Sequence, residues 1–472
     1  MSLPSKLTCE RLDALRDYFD HAPVDHNKAG RDYRSLLAHH YRHLISSDAS
    51  VLEIGCGSGE LLAQLQVKRK VGVDVSPRQI DAARIRVPEG EFFVQAGELL
   101  ELTGTFDYII LSDTLNLAAD AQQLLERLHG FSHADTRLLV NFYSSLWRPL
   151  LSLAQAVGLK APQPETSWLS TSDVRNLLSL SDWSPIVFRP QLLIPIRMFG
   201  FERLVNRWLA PFLGWFCLTI FCTAHSKRSK QVRPATVSIV IPARNEAGNI
   251  ADAVRRIPPM GASVELIFVE GHSSDETWSE ILRVAESNPA MDIKVYQQSG
   301  VGKGDAVRLG FAKSSGDILM ILDADLTMPP EELPKFYDVI VHHRAEFANG
   351  CRLVYPMGGA AMPFLNLCAN KGFALLFTWI LGQPIKDTLC GTKVLRRAHY
   401  LRIAANRGYF GDFDPFGDFD LLFGAAKLNM KIADVPIRYR DRTYGSTNIQ
   451  RWRHGLLLWR MVAFAARKLK FI

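Results

Sequence analysis

Four features are absent from this sequence of 472 residues, and each absence excludes a class of protein. The seven cysteines are scattered and form no Cys-x-x-Cys pair, which argues against a disulfide framework or a zinc site and favours a reducing compartment. The first residues lack the apolar core of a signal peptide, so we expect a cytoplasmic protein. No apolar stretch supplies the roughly 20 residues that span a bilayer. Repeats and low-complexity stretches are lacking as well, which excludes solenoid and fibrous proteins.

Strong charge of one sign is also missing. The net charge of +7 is small for this length and too diffuse to indicate nucleic acid, so we expect no nucleic-acid partner. With 47% hydrophobic residues the chain is typical of globular proteins, and its length suits two or three domains. A polar, basic segment that ends in proline is the best candidate for a linker. We therefore predict a first domain at residues 1–225, a linker at 226–235 and a second domain at 236–472.

Strand-like runs alternate with helical stretches in both halves of the chain, a pattern typical of parallel sheets covered by helices. The fold class is therefore predicted as α/β, with two open α/β domains. The predicted strands lie at 50–54, 71–75, 91–94, 107–112 and 137–142 in the first half, and from Val237 and near 264–269, 293–296, 318–322 and 346–350 in the second.

One stretch of the first half departs from this alternation. Prolines interrupt it between Trp147 and Arg203, and we interpret this stretch as an insertion that covers the first site. Trp208, Trp215 and Phe216 are expected in the core or in such a covering segment. The apolar run that follows them, residues 218–224, is predicted to be a buried strand.

A glycine-rich loop follows the first predicted strand. The strand ends near Glu53 and runs into Gly55-x-Gly57-x-Gly59, whose backbone can approach a ligand closely. Asp74 ends the next strand, where a carboxylate can bind two ribose hydroxyls. The glycine spacing differs from the Gly-x-Gly-x-x-Gly of dinucleotide-binding proteins. The combination indicates a nucleoside-containing ligand.

This arrangement resembles the class I S-adenosylmethionine-dependent methyltransferases over roughly residues 30–225. The resemblance implies a Rossmann-like fold with S-adenosylmethionine as cofactor. It places Glu53 and the three glycines around the methionine moiety and Asp74 at the ribose. Gly97 and Glu98 would lie beside the adenine, and Asp113 would face the reacting methyl group. Since methyl transfer needs mainly alignment, the motifs name neither a catalytic base nor an acceptor, and a non-catalytic cofactor-binding module stays the alternative.

Two carboxylates close an apolar strand in the second half. Asp323 and Asp325 are two residues apart, so on an extended segment they point to the same side. There they can hold Mg²⁺ or Mn²⁺, which take oxygen ligands and bridge to a diphosphate. An isolated pair of this kind is more often a solvated turn, but other polar segments with similar positions accompany this pair. Polar segments follow two other strands at 241–246 and 269–277, and Lys303 opens a helix where it could contact phosphate.

Together these segments resemble the inverting family 2 glycosyltransferases of the dolichol-phosphate mannose/glucose synthase type, over essentially all of 236–472. Further matching segments lie at 387–393, 416–422 and 435–448. The resemblance implies a GT-A fold, a nucleotide diphosphate sugar, a divalent metal and inversion at the anomeric carbon. The residues that it places at the donor are Pro242, Asn245, Glu246, Glu270, Lys303, Asp323 and Asp325, the last two also at the metal. The order of motifs along the whole chain resembles bacterial methyltransferase–glycosyltransferase fusions.

The acceptor is predicted to be a polyprenyl phosphate, with a glycan hydroxyl as the alternative. A phosphate oxygen is already anionic near neutral pH and needs cations to position it more than it needs a base. The candidate cations are Arg352, Lys393, Arg438 and Arg442. A hydroxyl acceptor would instead require Asp418 or Asp420 to act as general base.

The C-terminal segment adds an expectation about membranes. Arg453, Arg460 and Arg467 recur every seven residues and therefore share one face of a predicted helix. A basic amphipathic helix can lie on anionic lipid, or it can dock on its own domain. We expect a cytoplasmic protein in peripheral contact with the inner face of the cytoplasmic membrane. The oligomeric state is left open by the sequence.

Overall fold

The computed structural model describes residues 6–24, 27–156, 164, 166–228, 233–355, 364–407, 418–440, 442, 444 and 459–471, with the backbone alone for 364–369 and 418. The chain divides into two compact units, Met1–Lys230 with Phe471–Ile472, and Gln231–Lys470. Each unit contains a seven-stranded sheet flanked by helices, so the prediction of two α/β domains is confirmed. The predicted linker falls partly outside the described residues.

The first unit is built on a mostly parallel sheet. Its strands are β1 (Ser50–Ile54), β2 (Arg69–Asp74), β3 (Glu91–Val94), β4 (Phe106–Ser112), β5 (Ser132–Tyr143), β6 (Trp183–Gln191) and β7 (Thr219–Ser226). Its helices are α1 (Lys6–His21), α2 (Lys28–Leu44), α3 (Glu60–Gln64), α4 (Pro77–Arg86), α5 (Ala121–Arg127), α6 (Arg148–Ala156), α7 (Thr171–Leu180) and α8 (Phe201–Trp208).

The strand order of this sheet is β3-β2-β1-β4-β5-β7-β6. Strands β1 to β5 pair in parallel, whereas β7 runs antiparallel to both β5 and β6. The chain moves outward from β1 to one side and then returns to its other side at β4. Open α/β sheets bind ligands at the carboxyl ends of the strands beside such a reversal. The topology therefore places the crevice of this unit at the ends of β1 and β4.

The stretch between Trp147 and Arg203 is only partly an insertion, which corrects our interpretation. It contributes the edge strand β6 to the sheet and the helix α7 before that strand. Pro185 and Pro190 lie within β6, where proline is tolerated because an edge strand has one side without ladder partners. The predicted buried strand at 218–224 is found as β7. Trp208, Trp215 and Phe216 are exposed and do not belong to the core.

Local sequence signals set the helix starts, and apolar side chains fill both faces of the first sheet. Ser76 caps α4 by accepting a hydrogen bond from the Gln79 amide, and Pro77 occupies the first helical position. Neighbouring residues of one strand point to opposite faces, so Val51 and Leu52 of β1 belong to different buried clusters. The sheet is thus buried on both sides, as in other doubly wound folds.

The second unit has a mixed sheet of the order β10-β9-β8-β11-β13-β12-β14. Its strands are β8 (Val237–Ala243), β9 (Val264–Glu270), β10 (Asp292–Gln297), β11 (Ile318–Ile321), β12 (Phe347–Cys351), β13 (Lys393–Arg396) and β14 (Ile432–Pro436). Its helices are α9 (Ala247–Arg256), α10 (Thr277–Ser287), α11 (Lys303–Lys313), α12 (Leu333–Val341), α13 (Phe364–Leu381), α14 (Arg397–Ala405) and α15 (Asp418–Lys427). Strands β8 to β11 pair in parallel, and β13 is antiparallel to β11 and β12. The reversal beside β8 places the crevice at the ends of β8 and β11.

The predicted C-terminal helix is described only from residue 459 onward, and Arg453 lies outside the described residues. Residues 459–465 are helical, and Met461, Val462 and, further on, Leu469 are buried, whereas Trp459 is exposed. Trp459 packs against Phe373 of α13 with 5.5 Å between the ring centroids. The described part therefore favours docking on its own unit, one of our two alternatives. Within the part of the chain that the structure covers, no helix is both long and apolar enough to cross a membrane.

Candidate functional site

The crevice of the first unit is lined by the glycine loop that follows β1. Gly55, Gly57 and Gly59 have φ angles of 71°, 52° and 74°, a left-handed conformation that favours glycine. A Cβ atom on Gly55 would lie 2.6 Å from Oγ1 of Thr114, which follows β4. The loop therefore has no room for a side chain at Gly55, and its backbone faces the crevice directly.

Asp74 ties the glycine loop to the end of β2. Its Oδ2 atom accepts a hydrogen bond from the Gly57 amide at 2.8 Å, and its Oδ1 atom accepts one from the Ser76 amide at 3.0 Å. Burial raises the pKa of Asp74, although these backbone N–H groups act in the opposite direction. The carboxylate that the resemblance assigns to a ribose thus lies at the crevice and also holds the loop in place.

Glu53 is the most isolated carboxyl group of this crevice. The residue is 2% exposed, and its Oε2 atom finds no hydrogen-bond partner within the described residues. Burial raises the pKa of Glu53 to about 8. A buried acceptor without a partner suits a ligand that brings a positive charge or a donor. The chemistry of this donor set fits the α-ammonium group and the ribose of S-adenosylmethionine.

Asp113 lies at the centre of a polar cluster at the end of β4. It has a φ angle of 54°, and its carboxylate accepts hydrogen bonds from Asn141 Nδ2 at 2.6 Å, Tyr33 Oη at 3.2 Å and Tyr143 Oη at 3.4 Å. Tyr33 also lies 3.1 Å from Oγ1 of Thr219. Burial, followed by the charge of Asp113, raises the pKa of both tyrosines, so they stay neutral donors at physiological pH. The sequence pointed to Asp113 alone.

Gly97 and Glu98 have structural roles in this fold. A Cβ atom on Gly97 would lie 2.6 Å from Leu124 Cδ1 and 2.7 Å from Ile54 Cγ2, so close packing requires glycine there. Oε1 of Glu98 accepts hydrogen bonds from the backbone amides of Ala119 and Asp120 at 2.9 and 3.3 Å. Glu98 therefore fixes a loop at the carboxyl edge of the sheet. A place for adenine beside these residues stays a prediction.

The second crevice contains two clusters at the ends of β8 and β11, and each cluster joins a basic side chain to one or two carboxylates. In the first cluster, Lys303 Nζ lies 2.6 Å from Asp323 Oδ1. A Cβ atom on Gly391 would overlap both side chains, so the backbone of that loop lies directly on the pair. Lys303 begins α11, where the helix N-terminus adds its own positive potential. This corner suits the negative charge of a phosphate.

In the second cluster, Arg442 bridges two carboxylates. Its Nη1 atom lies 2.8 Å from Glu246 Oε1, and its Nη2 atom lies 2.6 Å from Asp325 Oδ2. The other oxygen of Asp325 accepts from the amide and the hydroxyl of Thr327, and that of Glu246 accepts from Asn249. Two carboxylates that share one cation provide the oxygen ligands that Mg²⁺ and Mn²⁺ take, so they fit such an ion.

The remaining donor candidates line the ends of β8 and β9. Asn245 has a φ angle of 57°, and its Oδ1 atom accepts from the Ser274 amide at 2.8 Å. Glu270 is buried and accepts from the Ser273 amide at 2.5 Å. Burial raises the pKa of Glu270, but its hydrogen bonds outweigh burial and lower the pKa overall. Pro242 lies near the carboxyl end of β8. The structure thus gathers all the predicted donor residues at one edge of the sheet.

Two of the four predicted acceptor cations are already engaged inside the unit. Arg352 forms a two-pronged ion pair with the fully buried Asp387, with Nε–Oδ2 and Nη2–Oδ1 distances of 2.7 and 2.9 Å. Lys393 belongs to β13, is completely buried and donates to the carbonyl of Cys390. Burial would raise the pKa of Asp387, but Arg352 lowers it to about 2. Lys393 therefore does not offer its ammonium group to an incoming phosphate, which corrects that prediction.

The other two cations lie in more open positions. Arg438 is exposed, with its guanidinium carbon 5.3 Å from the ring centroid of Tyr355. Arg442 lies in the crevice with about a quarter of its side chain exposed. Of the two candidate bases, the side chain of Asp418 lies outside the described part of the chain, and Asp420 is mostly buried with Oδ2 at 2.9 Å from Arg407 Nε.

Several residues of these sites were missed by reasoning from sequence. In the first unit they are Tyr33, Asn141, Tyr143 and Thr219, and in the second they are Asn249 and Thr327. Asn141 and Tyr143 lie on β5 near its carboxyl end, a position that could have drawn attention to them. Tyr33 gave no such signal, because it comes from a helix 80 residues before Asp113.

Comparisons with known proteins match a family model to a part of each unit. Residues 238–402 match the family model described as glycosyl transferase family 2, and residues 45–167 match a methyltransferase domain. The chain is 32% identical to a dolichol-phosphate mannosyltransferase from Pyrococcus furiosus over 221 residues, which are 45% of this chain and 59% of that protein. It is 31% identical to a dolichyl-phosphate hexose transferase from Haloferax volcanii over 193 residues, which are 40% of this chain and 76% of that protein.

Among solved structures, a SAM-dependent methyltransferase from Thermotoga maritima aligns with 41% of this chain and 90% of its own length, at 17% identity and a TM-score of 0.32. A likeness of that degree says nothing about substrate. Each of the two family models matches a part of one unit, and the Haloferax protein is matched over 76% of its length. The chain therefore belongs to the family 2 glycosyl transferases and carries a methyltransferase domain fused to its N-terminal side.

Proposed function

We propose that the second unit transfers a sugar from a nucleotide diphosphate sugar to a polyprenyl phosphate with inversion at the anomeric carbon. The observation that carries this proposal is the Arg442 bridge between Glu246 and Asp325, beside the Lys303–Asp323 pair. Three carboxylates and two cations at the carboxyl edge of a parallel sheet suit a diphosphate with its metal. The names of both relatives, a mannosyltransferase and a hexose transferase of dolichol phosphate, support the same class of acceptor.

The charges of this crevice suggest roles for its residues. Asp325, with Glu246 and Asp323, would hold Mg²⁺ or Mn²⁺, which supplies positive charge to the diphosphate leaving group. Lys303 at the start of α11 would bind a phosphate oxygen and so stabilise the charge that develops as the anomeric C–O bond breaks. Arg442 would be released from its two carboxylates as the metal arrives, and its guanidinium would then be available to the acceptor phosphate.

A phosphate acceptor also agrees with the state of the candidate base. A hydroxyl acceptor must lose its proton, and this requires a carboxylate within reach of it. Asp420 is mostly buried, and one of its oxygens is bonded to Arg407. A phosphate oxygen is already negative and needs only Arg438 and Arg442 as guides. The phosphate is therefore the first candidate acceptor, and the glycan hydroxyl is the second.

For the first unit we propose methyl transfer from S-adenosylmethionine to a glycan or lipid intermediate, with a non-catalytic cofactor-binding module as the alternative. Glu53 would bind the α-ammonium group and Asp74 the ribose. The cluster around Asp113 would face the acceptor, where the neutral phenols of Tyr33 and Tyr143 can bind an acceptor oxygen. The peripheral membrane contact that we expect from the sequence is also a proposal.

The experiment that tests the sugar transfer uses labelled nucleotide sugars, undecaprenyl phosphate and either Mg²⁺ or Mn²⁺. Wild type is compared with Asp325→Ala, and with Asp252→Ala as a control that removes a surface carboxylate of α9. We expect label in the organic phase with wild type and Asp252→Ala only. Donor hydrolysis that depends on Asp325, without a lipid product, would favour the hydroxyl acceptor. Inactivity with every donor would refute the proposal.

Methyl transfer is tested separately with S-adenosylmethionine labelled in its methyl group. The acceptors are the lipid extract of the sugar-transfer reaction and the same extract prepared without nucleotide sugar. Incorporation that requires the sugar would identify the glycosylated product as the acceptor. Cofactor binding without incorporation into either extract would support the non-catalytic module.

A further inference from the structure

The first unit exposes large apolar side chains in two segments, residues 146–153 and 196–216. These segments, which we call the apolar surface, hold half of the exposed large apolar side chains found among the described residues. Phe199 is fully exposed, and Trp215, Phe216 and Leu150 are exposed by 85%, 65% and 56%. Contiguous apolar patches of this kind are rare on monomeric proteins unless they bind a partner.

Helix α8 shows that this exposure is built into the fold. Phe201, Leu204 and Trp208 lie at three- and four-residue spacing on one stripe of the helix, and all three are exposed. Glu202 and Asn206, on another stripe, are buried. Glu202 accepts hydrogen bonds from two backbone N–H groups at 2.8 and 3.0 Å, and Asn206 bonds to both backbone groups of Ile194. The helix is therefore fixed with its apolar stripe outward.

The two segments of the apolar surface are joined to each other and to the sheet. Trp147 donates from Nε1 to the carbonyl of Phe216 at 2.8 Å. The Leu218 amide donates to the carbonyl of Leu192 at 2.9 Å, and the Ser144 amide donates to the carbonyl of Leu218 at 2.7 Å. These bonds connect the ends of β5 and β6 with the start of β7.

The apolar surface lies at the edge of the sheet that also holds the cofactor crevice. β7 runs antiparallel to β5 and β6, so its first residue lies at the same edge as their last residues. The carboxyl ends of β1, β2 and β4 lie at this edge as well, because those strands are parallel to β5. Thr219 connects the two features directly, since it follows the apolar surface by three residues and lies 3.1 Å from Tyr33 of the Asp113 cluster.

The charges of the two segments have one sign where they are exposed. The basic residues are Arg148, Arg197, Arg203 and Arg207, and the one acidic residue, Glu202, is buried with its carboxylate bonded to the backbone. Aromatic side chains surrounded by arginine suit the interface of an anionic bilayer, where the rings enter the headgroup region and the arginines meet lipid phosphates. Four arginines without an exposed acid complement a surface of one negative sign, and an anionic bilayer presents such a surface over its whole area.

We propose that the apolar surface docks the methyltransferase unit on an anionic phospholipid bilayer. This deepens the proposed function, because it makes the methyl acceptor a lipid-borne intermediate that enters the crevice from the membrane. It also assigns the membrane contact to the first unit rather than to the C-terminal segment, which buries Met461, Val462 and Leu469. Phe471, at the end of that segment, packs against Trp208 of the apolar surface with 4.9 Å between the ring centroids and leaves Trp215 and Phe216 exposed.

The experiment is flotation of the full chain with vesicles of phosphatidylcholine alone and of phosphatidylcholine with 30 mol% phosphatidylglycerol. We expect wild type to float with the anionic vesicles. The double variant Trp215→Ser/Phe216→Ser should lower the partition coefficient at least tenfold. Arg203→Glu/Arg207→Glu should lower it on anionic vesicles, without the loss of any apolar contact. Ile85→Ser removes an equally exposed apolar side chain from α4 and should change nothing.

Lipid docking is distinguished from misfolding of a variant and from adhesion that ignores lipid charge. S-adenosylmethionine affinity within twofold of wild type shows that a variant is folded. Flotation of both double variants like wild type would overturn the proposal, as would a wild type that binds neither vesicle. Equal losses on both kinds of vesicle with the arginine variant would refute the role of charge.

The result is also independent of the proposed sugar transfer. Loss of flotation in the double variants, together with inactivity towards every nucleotide sugar, would keep the docking and reject the transferase proposal. Sugar transfer by wild type with flotation unaffected in both double variants would keep the transferase proposal and reject the docking.

Discussion

Glu53 provides the sharpest test of the first crevice, because it should release a proton when S-adenosylmethionine binds. Burial raises its pKa from 4.5 to about 8, so at pH 7 roughly 90% of the carboxyl groups are protonated. A cation placed beside the unpartnered Oε2 atom favours the carboxylate and returns the pKa towards its ordinary value. Binding at pH 7 should therefore release roughly 0.9 proton per molecule.

Isothermal titration calorimetry in phosphate and in Tris buffer measures this number. The difference between the two binding enthalpies, divided by the difference between the buffer ionisation enthalpies, gives the protons released. Glu53→Gln should abolish the release and weaken binding, whereas Glu101→Gln, an exposed carboxyl of the same unit, should change neither. The same release from Glu53→Gln as from wild type would refute the assignment of the proton to this residue. No release from wild type would refute the placement of the ammonium group.

The same pKa makes the stability of the ligand-free protein depend on pH. The pKa in the folded state lies above that of the unfolded state, so the contribution to stability is complete below pH 4.5 and is lost as the pH rises towards about 8. At 1.36 kcal/mol per pKa unit the whole loss is roughly 5 kcal/mol. Glu53→Gln should remove this dependence, so that urea unfolding of the variant differs from wild type most at pH 8.

Three further substitutions test the second unit. Arg442→Ala leaves two carboxylates without their shared cation, so Tm should fall by roughly 5 °C. Added Mn²⁺ should raise Tm of this variant more than Tm of wild type in scanning fluorimetry. An equal rise in both proteins would contradict the metal site. Gly391→Ala places a Cβ atom on the lysine–aspartate pair and should weaken nucleotide-sugar binding at least tenfold by calorimetry, whereas Gly372→Ala, which meets open space, should not. Hydrogen bonds to Glu265, the ammonium of Lys294 included, outweigh burial and lower its pKa to about 2, so this residue stabilises the unit above pH 4.5 and loses that effect as the pH falls to about 2. Glu265→Gln should cost about 2–3 kcal/mol at pH 7 in urea unfolding and much less near pH 2.

The sequence predicted what depends on local signals. Apolar runs followed by polar loops identified β1, β2 and β4, because a buried parallel strand is short, apolar and bounded by turn residues. β13 was not among the predicted strands. Its place between β11 and β12 depends on antiparallel partners that lie far away in the sequence, and four residues carry little periodicity of their own.

The candidate sites divide in the same way. The glycine loop and the Asp323–Asp325 pair were identified because each stands within a few residues of a strand end. The surroundings of Arg352 and Lys393 were not identified. A motif shows a basic residue, but it does not show whether a buried acid such as Asp387, 35 residues from Arg352, holds it. Exposure is equally non-local, and Trp215 could be assigned to the surface only once the structure showed its neighbours.

The two crevices neutralise their carboxylates by different means, and this difference has consequences for binding. In the first unit Glu53 has no cation within hydrogen-bond distance among the described residues and is neutralised by a proton. In the second unit Asp325 and Glu246 share the single positive charge of Arg442, and Asp323 pairs with Lys303. Binding of a cationic cofactor therefore exchanges a proton for the ligand, and its affinity should rise with pH up to about 8. Binding of a metal with a diphosphate exchanges ion pairs within the crevice. The pairs lost are partly exposed, so salt screens them, and we expect the affinity to depend on metal concentration more than on pH.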